Sequence, residues 1–147
     1  MGLFNTLEIS GSALAAERQR AEVVAANMAN AETTKTAEGG PYKRKQVVFS
    51  SQGSSAFRMM LAGFSRLIGR TPGAVRLTNV VDDPTPPVMK YEPGNPDANK
   101  DGYVAYPAIN PIQEMVDLMG AVRAYQLNAS AVNASKQMIQ QSLDILK

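Results

Sequence analysis

The chain has 147 residues, of which 44% are hydrophobic and 19% are charged, a composition typical of a globular domain rather than a disordered segment. It contains no Cys, His or Trp, which excludes disulfides, imidazole catalysis and the common nitrogen and sulfur zinc sites. The 15 basic residues exceed the 13 acidic residues by only two, so the net charge does not indicate a nucleic-acid-binding protein.

The amino-terminal segment is predicted to be a helix, because it contains no proline before Pro41 and its apolar residues recur in steps of three and four. The residues assigned to the seam of this helix and to its polar packing face are Leu7, Leu14, Val24, Asn27, Met28 and Asn30. The segment lacks the basic and apolar regions of a secretory signal peptide. Any export is therefore expected to use a route other than the one that such a peptide directs.

The middle of the chain carries short β-branched and aromatic runs at residues 42–49, 75–81, 88–91 and 102–106. Glycine, proline and aspartate separate these runs, a pattern that predicts a small antiparallel sheet. A short helix is predicted at residues 56–68, inside a stretch (51–81) that is expected to be particular to this protein.

The carboxyl-terminal helix is predicted to begin at Asn110-Pro111-Ile112-Gln113, which supplies an N-cap, a proline at the first helical position and a capping amide. It is expected to continue to Leu146. Its seam and packing residues are Met115, Leu118, Val122, Tyr125, Gln126, Val132, Asn133, Ile139 and Leu143. Its other positions carry mostly amides and hydroxyls, which favours contact with neighbouring helices over a solvated surface.

These patterns together predict a mainly α fold with a small β module. Residues 1–34 and 107–147 are expected to form long terminal helices paired as a coiled-coil-like hairpin. Residues 35–106 are expected to form an irregular and antiparallel β middle region.

One short motif resembles a metal-binding loop. Residues Asp97 to Gly102 match the first six positions of an EF-hand loop, but position twelve is Ala108 rather than a glutamate. An Asx-type turn is therefore favoured over a calcium site.

No catalytic, cofactor or metal site is expected. No Ser or Thr has a His partner, and the acidic pairs Asp82 with Asp83 and Glu114 with Asp117 are interpreted as turn and helix-start residues. A polysaccharide hydrolase is the least favoured function, because no acid and base pair is specified. The basic run 43–45 is interpreted as protection of a strand edge.

Several stretches resemble bacterial flagellar rod proteins, which belong to the flagellar rod and hook axial protein family. Residues 10–20 and 25–34 are similar to the amino-terminal signature of that family. Residues 39–45, 83–87, 91–98 and 102–104 are similar to its proximal-rod members, and residues 114–119, 123–126 and 134–138 extend the likeness almost to the end.

The resemblance implies a structural subunit of the basal-body rod, exported by the flagellar type III apparatus without signal cleavage and assembled in the periplasm. Its terminal helices would form the inner tube of a hollow drive-shaft that surrounds the export channel and transmits torque. The implied partners are further copies of the chain, the rod proteins FlgB, FlgF and FlgG, and FliE at the base, with no nucleic acid, membrane insertion or cofactor.

The residues alone leave a second function open. A soluble helical hairpin with a β module could instead act as an adaptor that binds a single protein partner.

Overall fold

The computed structural model describes residues 3–52 and 74–145. The elements in chain order are α1 (Leu3–Ala29), β1 (Lys45–Gln52), β2 (Ala74–Asp82), β3 (Val88–Tyr91), β4 (Tyr103–Tyr106) and α2 (Pro111–Ile145). β1 pairs with β2, and β3 pairs with β4. Two long helices and a small β region between them confirm the predicted fold class.

Each predicted strand corresponds to an observed one. β3 has the predicted bounds, β4 begins one residue later than predicted, and β1 and β2 differ from the predicted runs by one to three residues at each end. The predicted helix at residues 56–68 lies outside the described residues.

The start of α2 confirms the predicted cap. The Asn110 Oδ1 atom accepts a hydrogen bond from the backbone N–H of Ile112 at 3.0 Å, and Pro111 occupies the first helical position. A proline at this position loses no helical hydrogen bond, because the first N–H groups of a helix have no partner inside it.

The hairpin of β3 and β4 is antiparallel, with Val88 opposite Tyr106 and Tyr91 opposite Tyr103. Gly102 closes its loop with a φ of +80°, and a Cβ atom there would lie 2.9 Å from the Tyr91 Cε2 atom. The backbone conformation and the close tyrosine ring both favour glycine.

The loop before β4 confirms the Asx-type turn. The Asn99 Oδ1 atom accepts hydrogen bonds from the backbone N–H groups of Asp101 and Tyr103, each at 2.9 Å. The Asp97 carboxylate accepts a hydrogen bond from the Thr34 hydroxyl at 2.7 Å. Two oxygens of the EF-hand-like motif are thus engaged by the chain itself.

The Cα positions divide the chain into two compact units. Unit A contains residues 1–19, 49–78 and 121–147, and unit B contains residues 20–48 and 79–120. Among the described residues of unit A, the buried side chains are all small ones, namely Ser10, Ala16, Ala74, Ala121 and Ser135. Small side chains bury little apolar area, so these fully buried residues contribute little hydrophobic stabilisation to unit A.

Unit B has larger buried groups. Val24 and Val104 are buried apolar residues, and Asn27 and Glu114 are buried polar ones. The last turns of α1 and the first turns of α2 contact each other there, since Asn27 bonds Glu114 and Arg20 lies 3.7 Å from Asp117. The order of these contacts is antiparallel, as expected for a helical hairpin.

Candidate functional site

Asn27 lies at the centre of a polar cluster in unit B, with 1% of its surface exposed. Its Nδ2 atom donates to the carbonyl of Lys45 at 2.8 Å and to Glu114 Oε2 at 3.1 Å. Its Oδ1 atom accepts from the N–H of Lys45 at 2.8 Å and from the Tyr42 hydroxyl at 3.2 Å. A carboxamide offers two donors and two acceptor positions, so the chain itself fills the hydrogen-bonding capacity of Asn27.

Glu114 is the buried acid of this cluster, and it is also 1% exposed. Arg44 Nε donates to Glu114 Oε1 at 2.6 Å, while the other carboxylate oxygen accepts from Asn27. Arg44 also lies 3.6 Å from an Asp83 oxygen and 3.9 Å from an Asp117 oxygen. A buried carboxylate is tolerated only when its charge is compensated in this way.

The charge of Arg44 is maintained by its acidic neighbours. Burial lowers the pKa of the guanidinium, but its hydrogen bond to Glu114 and the charge of Glu114, followed by those of Asp83, raise that pKa by more, so the net shift is upward. Arg44 therefore stays positive wherever its carboxylate partners are negative.

Asp83 is held in its charged form by the turn that follows β2. The Thr85 hydroxyl, then the Thr85 backbone N–H, lower the pKa of Asp83 to about 2, with smaller contributions from the Gln46 amide and Arg44. Burial acts in the opposite direction. The turn residue predicted from the sequence is thus also an ion-pair partner of Arg44.

Tyr42 joins the cluster through its hydroxyl group. Burial raises the pKa of this phenol, and the negative charges of Asp82 and Glu114 raise it further. The protonated form is the one that donates to Asn27 Oδ1, so the surroundings stabilise the form that the hydrogen bond requires.

The basic run 43–45 is split by the structure. Lys43 and Lys45 are exposed, whereas Arg44 reaches inward to Glu114. The interpretation of Arg44 as a charge that protects a strand edge is therefore wrong, because its guanidinium is bound to carboxylates of the same unit.

The charged side chains of the cluster are paired with one another. Within residues 3–52 and 74–145, no group of three or more His, Cys, Asp or Glu side chains could hold a metal ion. A shallow cavity of about 260 Å³ lies beside the cluster and is lined by Tyr42, Arg44, Asp83, Thr85, Pro87 and Pro107, among others. The Arg44 and Asp83 side chains there are already paired with each other, so the geometry supports a structural role.

Sequence reasoning missed Arg44 and Glu114 as partners. From the sequence alone, Glu114 is interpreted only as a favourable charge at the start of a helix. A signal was present, because Glu114 is three residues before Asp117, and the two side chains share one helix face that a distant arginine can bind.

The predicted site residues of α1 are at least partly inside the fold. Val24 and Asn27 are buried, and Leu7, Leu14, Met28 and Asn30 are half-buried. Asn30, the residue after the end of α1, donates a hydrogen bond to the Ala26 carbonyl and accepts one from the Thr33 hydroxyl. Their roles in contacts between chains stay predictions, but the polar atoms of Asn27 are committed within this chain.

The predicted site residues of α2 fall into two groups. Half-buried ones are Leu118, Val132 and Ile139, whereas the exposed ones are Met115, Val122, Tyr125, Gln126, Asn133 and Leu143. The buried residues of this helix are Glu114, Ala121 and Ser135. The seven-residue spacing predicted from the sequence is present, but the buried face is displaced by one residue from the predicted apolar seam.

The first turns of α2 expose four apolar residues that we call the apolar stripe. Ile112 is 76% exposed, Met115 54%, Val116 52% and Met119 60%. Their spacing places them on one side of the helix. The two acids of these turns, Glu114 and Asp117, bind arginines instead, so the stripe carries no charge.

Comparison with known proteins identifies the chain. Residues 7–35 match the family model "Flagella basal body rod protein", and residues 100–145 match "Flagellar basal body rod FlgEFG protein C-terminal". The chain is 38% identical over 151 aligned residues to the flagellar basal-body rod protein FlgC of Bacillus subtilis, and the alignment covers all of both chains. The chain belongs to the FlgC family.

Other FlgC proteins match over a similar extent. The identity is 34% to FlgC of Borreliella burgdorferi, covering 100% of this chain and 99% of that one. It is 37% to FlgC of Salmonella typhimurium, covering 99% and 98%. The FlgC family consists of structural rod proteins, so this chain is a non-catalytic subunit of the flagellar basal-body rod.

Membership of the FlgC family places both helices in context. The two matched segments contain Asn27 and Glu114, while Tyr42 and Arg44 lie between them. Within the described part of the chain, no helix is long and apolar enough to cross a membrane.

Proposed function

We propose that the chain builds the proximal rod through contacts between the terminal helices of neighbouring subunits. Residues 1–34 and 107–147 would form an inner tube around the export channel, and the tube would act as a hollow drive-shaft that transmits torque. Membership of the FlgC family supports the rod, and the apolar stripe on α2 supports the part played by this helix.

The apolar stripe is the observation that carries this proposal. Its four side chains leave on the order of 400 Å² of apolar surface exposed, which is comparable to the largest apolar patch of a typical monomer. Methionine adapts its shape to a facing surface, and two of the four residues are methionines. A subunit that works inside an assembly gains from such a surface when a neighbour covers it.

The exposed polar residues farther along α2 are proposed to add specificity. Tyr125, Gln126 and Asn133 are all exposed and uncharged, so a neighbouring helix can approach them without leaving an unpaired charge buried. Val122 and Leu143 add exposed apolar surface to the same helix. Asn27 is not included, because its hydrogen bonds are made within the chain.

The contacts must continue along the rod rather than close on themselves, so they join two different surfaces of successive subunits. The neighbours proposed are further copies of this chain, the rod proteins FlgB, FlgF and FlgG, and FliE at the base. The proposed route is export by the flagellar type III apparatus without signal cleavage, followed by assembly in the periplasm.

The test replaces Met119 with glutamate in a cell that lacks its own FlgC-family protein. We expect the Met119→Glu chain to be made and folded but absent from purified basal bodies, and the cells to be non-motile, because the charge would be buried without a partner. Met89→Glu is the matched control, because Met89 is 50% exposed and lies in β3, outside the helix.

Incorporation of Met119→Glu at the wild-type level would contradict the proposed use of the stripe. Loss of incorporation by both variants to the same degree would also contradict it, since the effect would then come from added charge in general.

A further inference from the structure

The first turns of α2 could face inward in two ways. Burial of apolar area alone would turn Met115 and Leu118 inward, as the heptad pattern of the sequence predicts. Instead, Glu114 is buried and Met115 is 54% exposed. Neighbouring residues of a helix lie about 100° apart around its axis, so the helix is rotated by about that angle from the apolar choice.

Polar contacts on one side of α2 hold this rotation. Both carboxylate oxygens of Glu114 are bound, one by Arg44 and the other by Asn27. Asp117, one turn farther along, lies 3.9 Å from Arg44 and 3.7 Å from Arg20. The helix cannot turn Met115 inward without removing Glu114 from these partners.

We propose that Arg44 is a positioning residue for the assembly surface. Together with Asn27 it selects the rotation of α2 that keeps the apolar stripe outward, so the subunit does not bury its own contact surface before it meets a neighbour. A buried ion pair often adds little stability over apolar residues of the same size, and its use here is to choose one of two arrangements. The inference rests on the proposed use of the stripe in assembly.

Cysteine labelling tests the rotation in the isolated full-length chain, which has no cysteine of its own. Single cysteines are placed at Met115→Cys and Val116→Cys, positions with nearly equal exposure of 54% and 52%. Each is combined with Arg44→Met. Without Arg44 the charge of Glu114 is uncompensated, so the helix should turn, expose Glu114 and bury position 115.

We expect Arg44→Met to slow thiol labelling at position 115 by about tenfold or more, as for a site reached only by local opening. Labelling at position 116 should change by less than about twofold. When the helix turns by one residue, position 116 takes the place that position 115 now has, and the exposed fractions of the two places are nearly equal. The double variant Arg44→Met with Glu114→Met is the rescue, since an apolar residue at 114 can remain inward. In it, labelling at position 115 should return to the wild-type rate.

Three results would overturn the proposal. The first is unchanged labelling at position 115 in a folded Arg44→Met chain. The second is fast labelling at both positions, which would mean that Arg44 maintains the fold and does not select a rotation. The third is failure of Glu114→Met to restore labelling.

Incorporation into basal bodies separates this proposal from the function on which it rests. Arg44→Met should lose incorporation and the double variant should regain it. If the wild-type chain itself built no rods, the proposed function would fail whatever the labelling showed. If rods formed normally with Arg44→Met, only the positioning role would fail.

Discussion

Replacement of Asn27 by alanine should destabilise unit B more than any other single amide substitution in α1. The substitution removes four hydrogen bonds, two with the backbone of Lys45, one with Tyr42 and one with Glu114. Lys45 is exposed and Tyr42 is half-buried, so water can partly replace the hydrogen bonds that these two residues lose. Water cannot reach the buried oxygen of Glu114.

The expected loss follows from these partners. A buried polar group left without a partner costs about 1–3 kcal/mol, and more when it is charged. Asn27→Ala leaves one buried carboxylate oxygen without its partner, and it also removes the partner of backbone and phenol groups that water can partly hydrate. We therefore expect the free energy of unfolding to fall by about 3 kcal/mol.

Urea denaturation followed by tyrosine fluorescence measures this loss, because four of the five tyrosines (Tyr42, Tyr91, Tyr103 and Tyr106) lie in unit B and the chain has no tryptophan. Asn30→Ala is the matched control, since the Asn30 side chain bonds only the nearby Ala26 carbonyl and Thr33 hydroxyl, and its loss should cost about 1 kcal/mol or less. Equal effects of the two substitutions would refute the central place given to Asn27.

Three further predictions concern the turns and the phenol beside the cluster. Thr85→Ala should raise the pKa of Asp83 from about 2 towards 3.8, as measured by NMR titration, because the hydrogen bond from the Thr85 hydroxyl is lost. Since the wild-type pKa is lowered, the stabilisation that charged Asp83 gives the fold is present above pH 4 and is lost as pH falls towards 2. Tyr42 has a raised pKa, so its contribution to stability is present below pH 10 and is lost at higher pH. Tyr42→Phe should therefore lower the free energy of unfolding at pH 7 by about 1 kcal/mol, and the variant should lose less stability than the wild type when the pH is raised above 10. Gly102→Ala should destabilise the hairpin by about 1–3 kcal/mol in denaturant titrations, because it adds a Cβ at a φ of +80° and close to a tyrosine ring.

Each of these predictions has a control. Thr78→Ala leaves Asp83 untouched, because Thr78 bonds Ser50 instead, so the pKa of Asp83 should not change. Tyr125→Phe alters an exposed phenol, and Gly94→Ala adds a Cβ with no atom within 4 Å. If a control variant changed the measured pKa or stability as much as its test variant does, the corresponding prediction would be contradicted.

The helices and strands in the described part of the chain could be predicted from the sequence. The steps of three and four in the helices and the short β-branched runs are local signals, and the Asn110 cap defined the start of α2 to the residue. The same local rules predicted the Asx turn at Asn99, because its side chain bonds backbone groups two and four residues away.

The rotation of α2 could not be predicted from the same signals. A heptad pattern ranks positions by apolarity, so it selected Met115 over Glu114 for the inward face. The partners of Glu114 are separated from it by 87 residues for Asn27 and 70 for Arg44. Local sequence patterns extend over only a few residues, so they cannot reveal contacts between residues that are so far apart in the sequence. The ion pair is therefore seen only in the folded chain.

Assembly is proposed to depend on coverage of the apolar stripe by a neighbouring subunit in the rod. The most direct measurement compares thiol labelling of a Met119→Cys chain in the isolated subunit and in purified basal bodies, because the chain has no other cysteine. Position 119 is 60% exposed in the single chain, so rapid labelling of the subunit and strong protection in the basal body are predicted. Equal labelling in both would contradict the account, because it would leave the stripe open to solvent in the assembled rod.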